Sequence, residues 1–206
     1  MLVTAVEPRR KALSALYIDG EFAMKLDTET LLINHIKAGV EITDEQLHQL
    51  VTDSNNKRAK EKALWLISYR DHSKKELIDK IKRTSSEESA VAAVERLTEL
   101  GLVNDEAYAR RYYKELTQGS KHLSPRGARY KLMEKGIDRE IIDAIVDETD
   151  IDEREQIRII INSKYKNFNA DEKSKKRTVA ALQRKGFRWE DIKSVMEEYE
   201  EEDYGY

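Results

Sequence analysis

One fifteen-residue phrase occurs twice in this chain. Residues 132–146 read LMEKGIDREIIDAIV and residues 182–196 read LQRKGFRWEDIKSVM. Both copies carry KG-x-x-x-E-x-I, a coincidence that chance patterning among amphipathic helices explains poorly. A more degenerate copy lies upstream. Ser73, Ser124 and Ser174 are 51 and 50 residues apart, as are Ile81, Leu132 and Leu182. Val91, Ile142 and Ile192 continue the series, followed by Val94, Ile145 and Val195. In each copy the apolar marks fall on two helices joined by a turn. That turn holds Lys135-Gly136 and Lys185-Gly186 in the later copies and Arg83-Thr84-Ser85-Ser86 in the first. A period near fifty, with three helices per period, specifies a tandem helical array. A single unit buries little, and stacking units creates a continuous core.

The rest of the sequence agrees with such an array. Charged residues make up 37% of the 206 residues, and there are only two prolines and eight glycines. A β-sandwich or barrel needs far more turn residues. There is no cysteine, and so no disulfide framework, thiolate metal site or thiol nucleophile. The N-terminus MLVTAVEPRR lacks the apolar core of a signal peptide. No run is long and apolar enough for a membrane helix. A cytoplasmic protein with no membrane partner is expected.

The first fifty residues read differently. Asp19-Gly20 separates Ala15–Ile18 from Glu21–Leu26, a strong hairpin signal because both turn residues must take positive φ. Phe22, Met24 and Leu26 alternate with Glu21, Ala23 and Lys25, as on a half-buried strand. Leu2–Val6 adds a third strand. A short helix follows around Thr28–Lys37, and Thr43 with Gln46 forms a capping box for another. Nine helices of ten to fifteen residues are expected from residue 55 onward, near 58–69, 74–83, 87–100, 106–118, 125–136, 138–148, 151–165, 171–185 and 189–199. Ser73, Asp105, Ser124 and Asp138 are the expected caps, with Pro125 in the first helical position. The fold class is mainly α: three tandem three-helix repeats in an elongated curved array, with a small N-terminal β-hairpin and helix extension. The domains are residues 1–54 for the α+β extension, 55–101 for repeat 1, 102–149 for repeat 2, and 150–206 for repeat 3 with a frayed acidic tail.

Little in the chain resembles a catalytic motif. His35, His48, His72 and His122 share no metal-ligand spacing and read as surface or loop residues. There is no phosphate-binding G-x-x-x-x-G-K, no G-x-G-x-x-G and no G-x-S-x-G. The expectation is a protein without enzymatic activity, cofactor or metal.

Charge is patterned instead. Residues 106–136 hold eight Lys/Arg and three Glu, while 138–155 hold nine acids and two Arg. The swing recurs: seven basic and two acidic residues in 171–188, then one Lys and eight acids in 189–206. Each later copy thus has a basic middle helix and an acidic last helix. Neutralisation between neighbouring helices accounts for this as well as a basic stripe for nucleic acid or an acidic groove does. If the stripe binds a partner or DNA, the candidates are Arg110, Arg111, Lys114, Arg126, Arg129, Lys131, Lys175, Lys176, Arg177, Arg184 and Lys185. Tyr112, Tyr113, Tyr130 and Trp189 lie near these cations, where aromatics stack bases. At helical spacing such residues are more often core.

Arg70-x-x-Ser73-x-x-Glu76-Leu77, then Leu97-x-x-Leu100-Gly101-Leu102-Val103-Asn104-Asp105-x-x-Tyr108-Ala109, resemble the signature of the RecX family, modulators of the RecA recombinase. Gly127-x-x-x-x-Leu132-x-x-Lys135-Gly136-Ile137 continues it, and Lys185-Gly186-Phe187 with Ile192 is similar to the last module. The resemblance spans about residues 58–196, and Tyr17–Phe22 resembles the extension of longer members. The Thr84–Ser86 turn departs from it where a glycine is expected. A monomer is expected, and the resemblance implies a non-enzymatic regulator of DNA repair and the SOS response. Its partner would be the RecA filament on DNA, and its effect to inhibit strand exchange and ATP turnover. It also implies three tandem three-helix repeats. The rival reading is a helix-turn-helix protein that binds single- or double-stranded DNA directly.

Overall fold

Asp19 and Gly20 both take positive φ, 50° and 88°, and close the hairpin between β2 (Leu13–Ile18) and β3 (Glu21–Asp27). β1 (Val3–Pro8) pairs with β2 on its other side, giving an antiparallel sheet in the order β1-β2-β3. The computed structural model describes the backbone of residues 1–204 and the side chains of residues 1–200. The expected alternation along β3 fails at one point. Leu16 pairs with Met24, but Tyr17 pairs with Phe22, so Ala23 is an extra residue. This bulge moves Phe22 to the opposite face, where it is 54% exposed and meets the Tyr17 ring edge-on.

The chain divides into two compact units, Met1–Asn104 and Asp105–Tyr206. In the first, α1 (Thr28–Ile33) leads to α2 (Asp44–Tyr69), α3 (Lys74–Ile81) and α4 (Glu87–Glu99). The Thr43–Gln46 capping box is formed. The helix it starts does not stop where the sequence suggests a boundary. α2 runs unbroken through residues 54 and 55, because the polar side chains there make their bonds from inside the helix. Ser54 Oγ accepts from the Asp27 N–H at 2.8 Å, tying α2 to the sheet. Asn56 Oδ1 accepts from Ser89 Oγ at 2.7 Å, tying it to α4. One helix therefore serves two cores. Leu50 joins Val3, Leu16, Leu26, Leu31 and Ile42. Ala59, Ala63 and Leu66 join Leu77, Ile81, Ala90, Val94, Leu97 and Val103.

The second unit holds α5 (Asp105–Gln118), α6 (Pro125–Glu134), α7 (Arg139–Asp147), α8 (Glu153–Lys164), α9 (Glu172–Arg184) and α10 (Trp189–Tyr204), with a 3₁₀ turn at Phe168–Ala170. Helices α5–α7 enclose one core, including Tyr113, Leu132, Ile142 and Ile145. Helices α8–α10 enclose another, including Ile157, Leu182, Ile192 and Val195. The acidic tail expected to fray continues α10 as far as Tyr204. The side chains of 201–206 lie outside the described residues.

The repeat marks keep their roles in most places. Ile81, Leu132 and Leu182 are each fully buried. Gly136 and Gly186 take φ of 75° and 95°, and the next N–H, from Ile137 or Phe187, returns to the carbonyl of Leu132 or Leu182. This is the glycine-terminated helix end that only a residue without Cβ forms cheaply. Two marks shift. Ser73 and Ser124 cap their helices, but Asp171 caps α9, leaving Ser174 inside the first turn. The α3–α4 connection is longer by one residue and has no positive-φ residue, and there Ala90 is fully buried while Val91 is only partly so. Asp138 stands at the start of α7 without a side-chain capping bond.

Candidate binding surface

Four of the candidate cations are paired within the second unit. The Arg110 guanidinium bridges Glu148, at the end of α7, and Glu106 at 3.0 Å. These bonds, Glu148 first, raise the arginine's pKa further, and Arg110 in turn holds the Glu148 carboxyl below its usual range. Arg129 pairs with Asp143 on α7, and Lys175 with Glu200 on α10. Lys131 pairs with Glu134 one turn along α6, at 2.8 Å. Two of these pairs, Arg129–Asp143 and Lys175–Glu200, neutralise a basic middle helix against the acidic helix packed on it.

Of the other candidates, all but Lys185 are exposed. Lys114, Arg126, Lys176, Arg177 and Arg184 are exposed and form no ion pair among the described residues. Arg111 is exposed, with its Nε–H donated to the Ala107 carbonyl at 3.3 Å. Lys185 is half-buried, and its ammonium donates to the Lys121 carbonyl. Burial, helped by the charge of Lys164, pushes its pKa down.

Arg126 and Arg184 meet at a groove of about 810 Å³ between α6 and the α9–α10 turn. The two three-helix modules meet there through backbone contact at Gly127 and Gly186. The Ser124 N–H donates to the Lys185 carbonyl at 3.1 Å. A Cβ on Gly186 would stand 2.6 Å from both the Gly127 nitrogen and Ser124 Oγ. Nearby, Gln156 Nε2 on α8 donates to the Thr117 carbonyl on α5 at 2.9 Å, both buried. Arg188, absent from the sequence candidates, is a third guanidinium lining the groove. Tyr130 and Trp189 also line it, 55% and 49% exposed. The sequence placed them near cations, but their spacing did not distinguish them from Tyr113, which is 2% exposed. Burial, with the nearby Glu153 charge, pushes the Tyr113 hydroxyl up to about 12.

A second hollow, of about 590 Å³, lies between the end of α8 and α9. Lys164, Lys166 and Arg177 line it with Ser163, Asn167 and Ser174, and among the described residues no carboxylate does. Lys164 and Lys166 are not among the sequence candidates because they fall outside the basic middle helices.

Among the described residues, no helix is long and apolar enough to cross a membrane. Residues 59–97 match the family model described as RecX, first three-helix domain, and residues 152–196 match RecX, third three-helix domain. The chain is 34% identical to Regulatory protein RecX of Caldanaerobacter subterraneus subsp. tengcongensis, across 95% of this chain and 98% of that protein. It is 29% identical to Regulatory protein RecX of Clostridium tetani, across 93% and 90%. Among solved structures, a crystal structure of regulatory protein RecX superposes with a TM-score of 0.62 at 20% identity, covering 95% of this chain and 98% of that one. RecX from Lactobacillus salivarius superposes with a TM-score of 0.58 at 24% identity, covering 70% and 96%.

Proposed function

This chain belongs to the RecX family, and on that premise we propose that it binds RecA filaments on DNA and inhibits strand exchange and ATP turnover. The observation that carries this reading is the near full-length relationship to a regulatory protein, 34% identical over 95% of the chain. The proposed action is binding, not catalysis. Three-helix modules linked in one chain suit a target that repeats: each makes a modest contact with one protomer or its neighbour, and linkage multiplies the weak contacts into avidity. The cations without an ion-pair partner among the described residues, including Lys114, Arg126, Lys176, Arg177 and Arg184, are the ones available to the filament.

The test compares binding to RecA assembled on single-stranded DNA with binding to RecA kept monomeric. Binding to the filament should be far tighter. Equal affinities would remove avidity from the account, and no binding to either would remove RecA as the partner.

A further inference from the structure

The groove in the second unit has features that a protein contact alone does not require. Arg126, Arg184 and Arg188 converge on it, and none of the three forms an ion pair among the described residues. Among the described residues its carboxylates are Glu134, already tied to Lys131, and Glu190. Two large rings stand half-exposed at its sides, Tyr130 on α6 and Trp189 at the start of α10. Unpaired guanidiniums beside exposed aromatic faces are what a strand with unstacked bases recognises. The planar fork of arginine fits phosphate oxygens, and every base offers a face for stacking.

The cationic surface also continues beyond the groove. Lys185 follows in the turn between Arg184 and Gly186, its ammonium on the Lys121 carbonyl. Lys164 is near enough for its charge to act on Lys185, and Lys164 lines the second hollow with Lys166 and Arg177. Both hollows lie along α9, which supplies Arg177 to one and Arg184 to the other. A linear polyanion would find successive cations along such a path, whereas a compact anion would use one hollow only. We propose that this path is a binding track for a single nucleic-acid strand, with Arg126, Arg184 and Arg188 holding phosphates and Tyr130 and Trp189 stacking unpaired bases. A duplex is a poorer occupant, because its bases are already stacked and offer no faces to the rings. An acidic peptide would engage the guanidiniums but has no use for both rings.

The proposal deepens the regulatory reading, since a RecA filament contains such a strand, but its test needs no RecA. The chain has two tryptophans, so Trp65→Phe leaves Trp189 as the only indole reporter. Adding a short oligothymidylate to that protein should quench Trp189 emission. It should bind more tightly than a duplex of equal length and weaken steeply with salt. Arg184→Glu with Arg188→Glu should flatten the salt dependence by about 0.7 in log–log slope for each phosphate that is no longer held. Tyr130→Ala should weaken binding about tenfold and leave that slope unchanged. The arginine substitutions fall on exposed, unpaired side chains, so circular dichroism should show full helicity in both variants. Unchanged Trp189 emission, a duplex bound as tightly as the strand, or polyglutamate displacing the oligonucleotide with equal quenching would each overturn the proposal. None of these outcomes would bear on whether RecA filaments are bound.

Discussion

Gly127 lies so close to the backbone of Lys185 that a Cβ there would stand 3.1 Å from the Lys185 carbonyl carbon and nearer still to its oxygen. This contact joins the last two three-helix modules beside the groove, which Gly127 and Gly186 both line. Gly127 lies in the first turn of α6, where alanine is intrinsically favoured by about 1 kcal/mol. Gly127→Ala should nevertheless destabilise the protein by about 1–3 kcal/mol, because the carbonyl cannot yield without moving the joint. Urea denaturation checks the sign. A stabilised variant would mean that the joint is loose.

Arg126 and Arg129 were equal candidates in the sequence, and the structure separates them. Arg126 is unpaired and lines the groove, whereas Arg129 is bonded to Asp143. Arg126→Glu should weaken inhibition of RecA without changing stability. Arg129→Asp should cost up to about 1 kcal/mol, as partly exposed pairs do, and Asp143→Arg in the same protein should restore most of it. Paired urea melts and inhibition curves on the three variants check this.

Ser54 is 2% exposed and gives the buried Asp27 N–H its acceptor. Ser54→Ala leaves that N–H without its partner and should cost about 1–3 kcal/mol. Thermal melts that leave the variant unchanged would show that another acceptor takes over.

His72 is buried, with Nδ1 at 2.8 Å from the Arg70 carbonyl. Burial lowers its pKa, with the Arg70 charge acting in the same direction, and together these outweigh the bond to the Arg70 carbonyl. The folded state therefore prefers neutral histidine. The unfolded chain takes up its proton first as pH falls, so stability is full above the ordinary histidine pKa of about 6.5 and declines as pH falls towards the lowered folded value. His72→Gln should flatten that decline between neutral and mildly acidic pH in urea titrations. An identical pH profile would assign the decline to other groups.

The helices and their repeat were legible because they rest on local signals: apolar spacing, the Ser73 and Ser124 caps, and the glycines that end α6 and α9. The capping box at Thr43 was legible for the same reason. The unbroken course of α2 was not. The partners that use Ser54 and Asn56 inside the helix, Asp27 and Ser89, lie 27 and 33 residues away. The bulge at Ala23 was hidden because strand register depends on the partner strand. At the candidate surface, cation positions could be read from the sequence, but not which cations are neutralised. Arg110 loses its availability to Glu148, 38 residues distant. The convergence of Tyr130, Trp189 and Arg188 likewise exists only once two modules are packed together.

The most direct test of the regulatory account is RecA-mediated strand exchange titrated with this protein and with its Arg126→Glu, Arg184→Glu, Arg188→Glu variant. The wild-type chain should suppress exchange at concentrations below that of RecA, and the variant should need much more protein for the same effect. Strand exchange that proceeds at full rate in the presence of the wild-type chain would contradict the account.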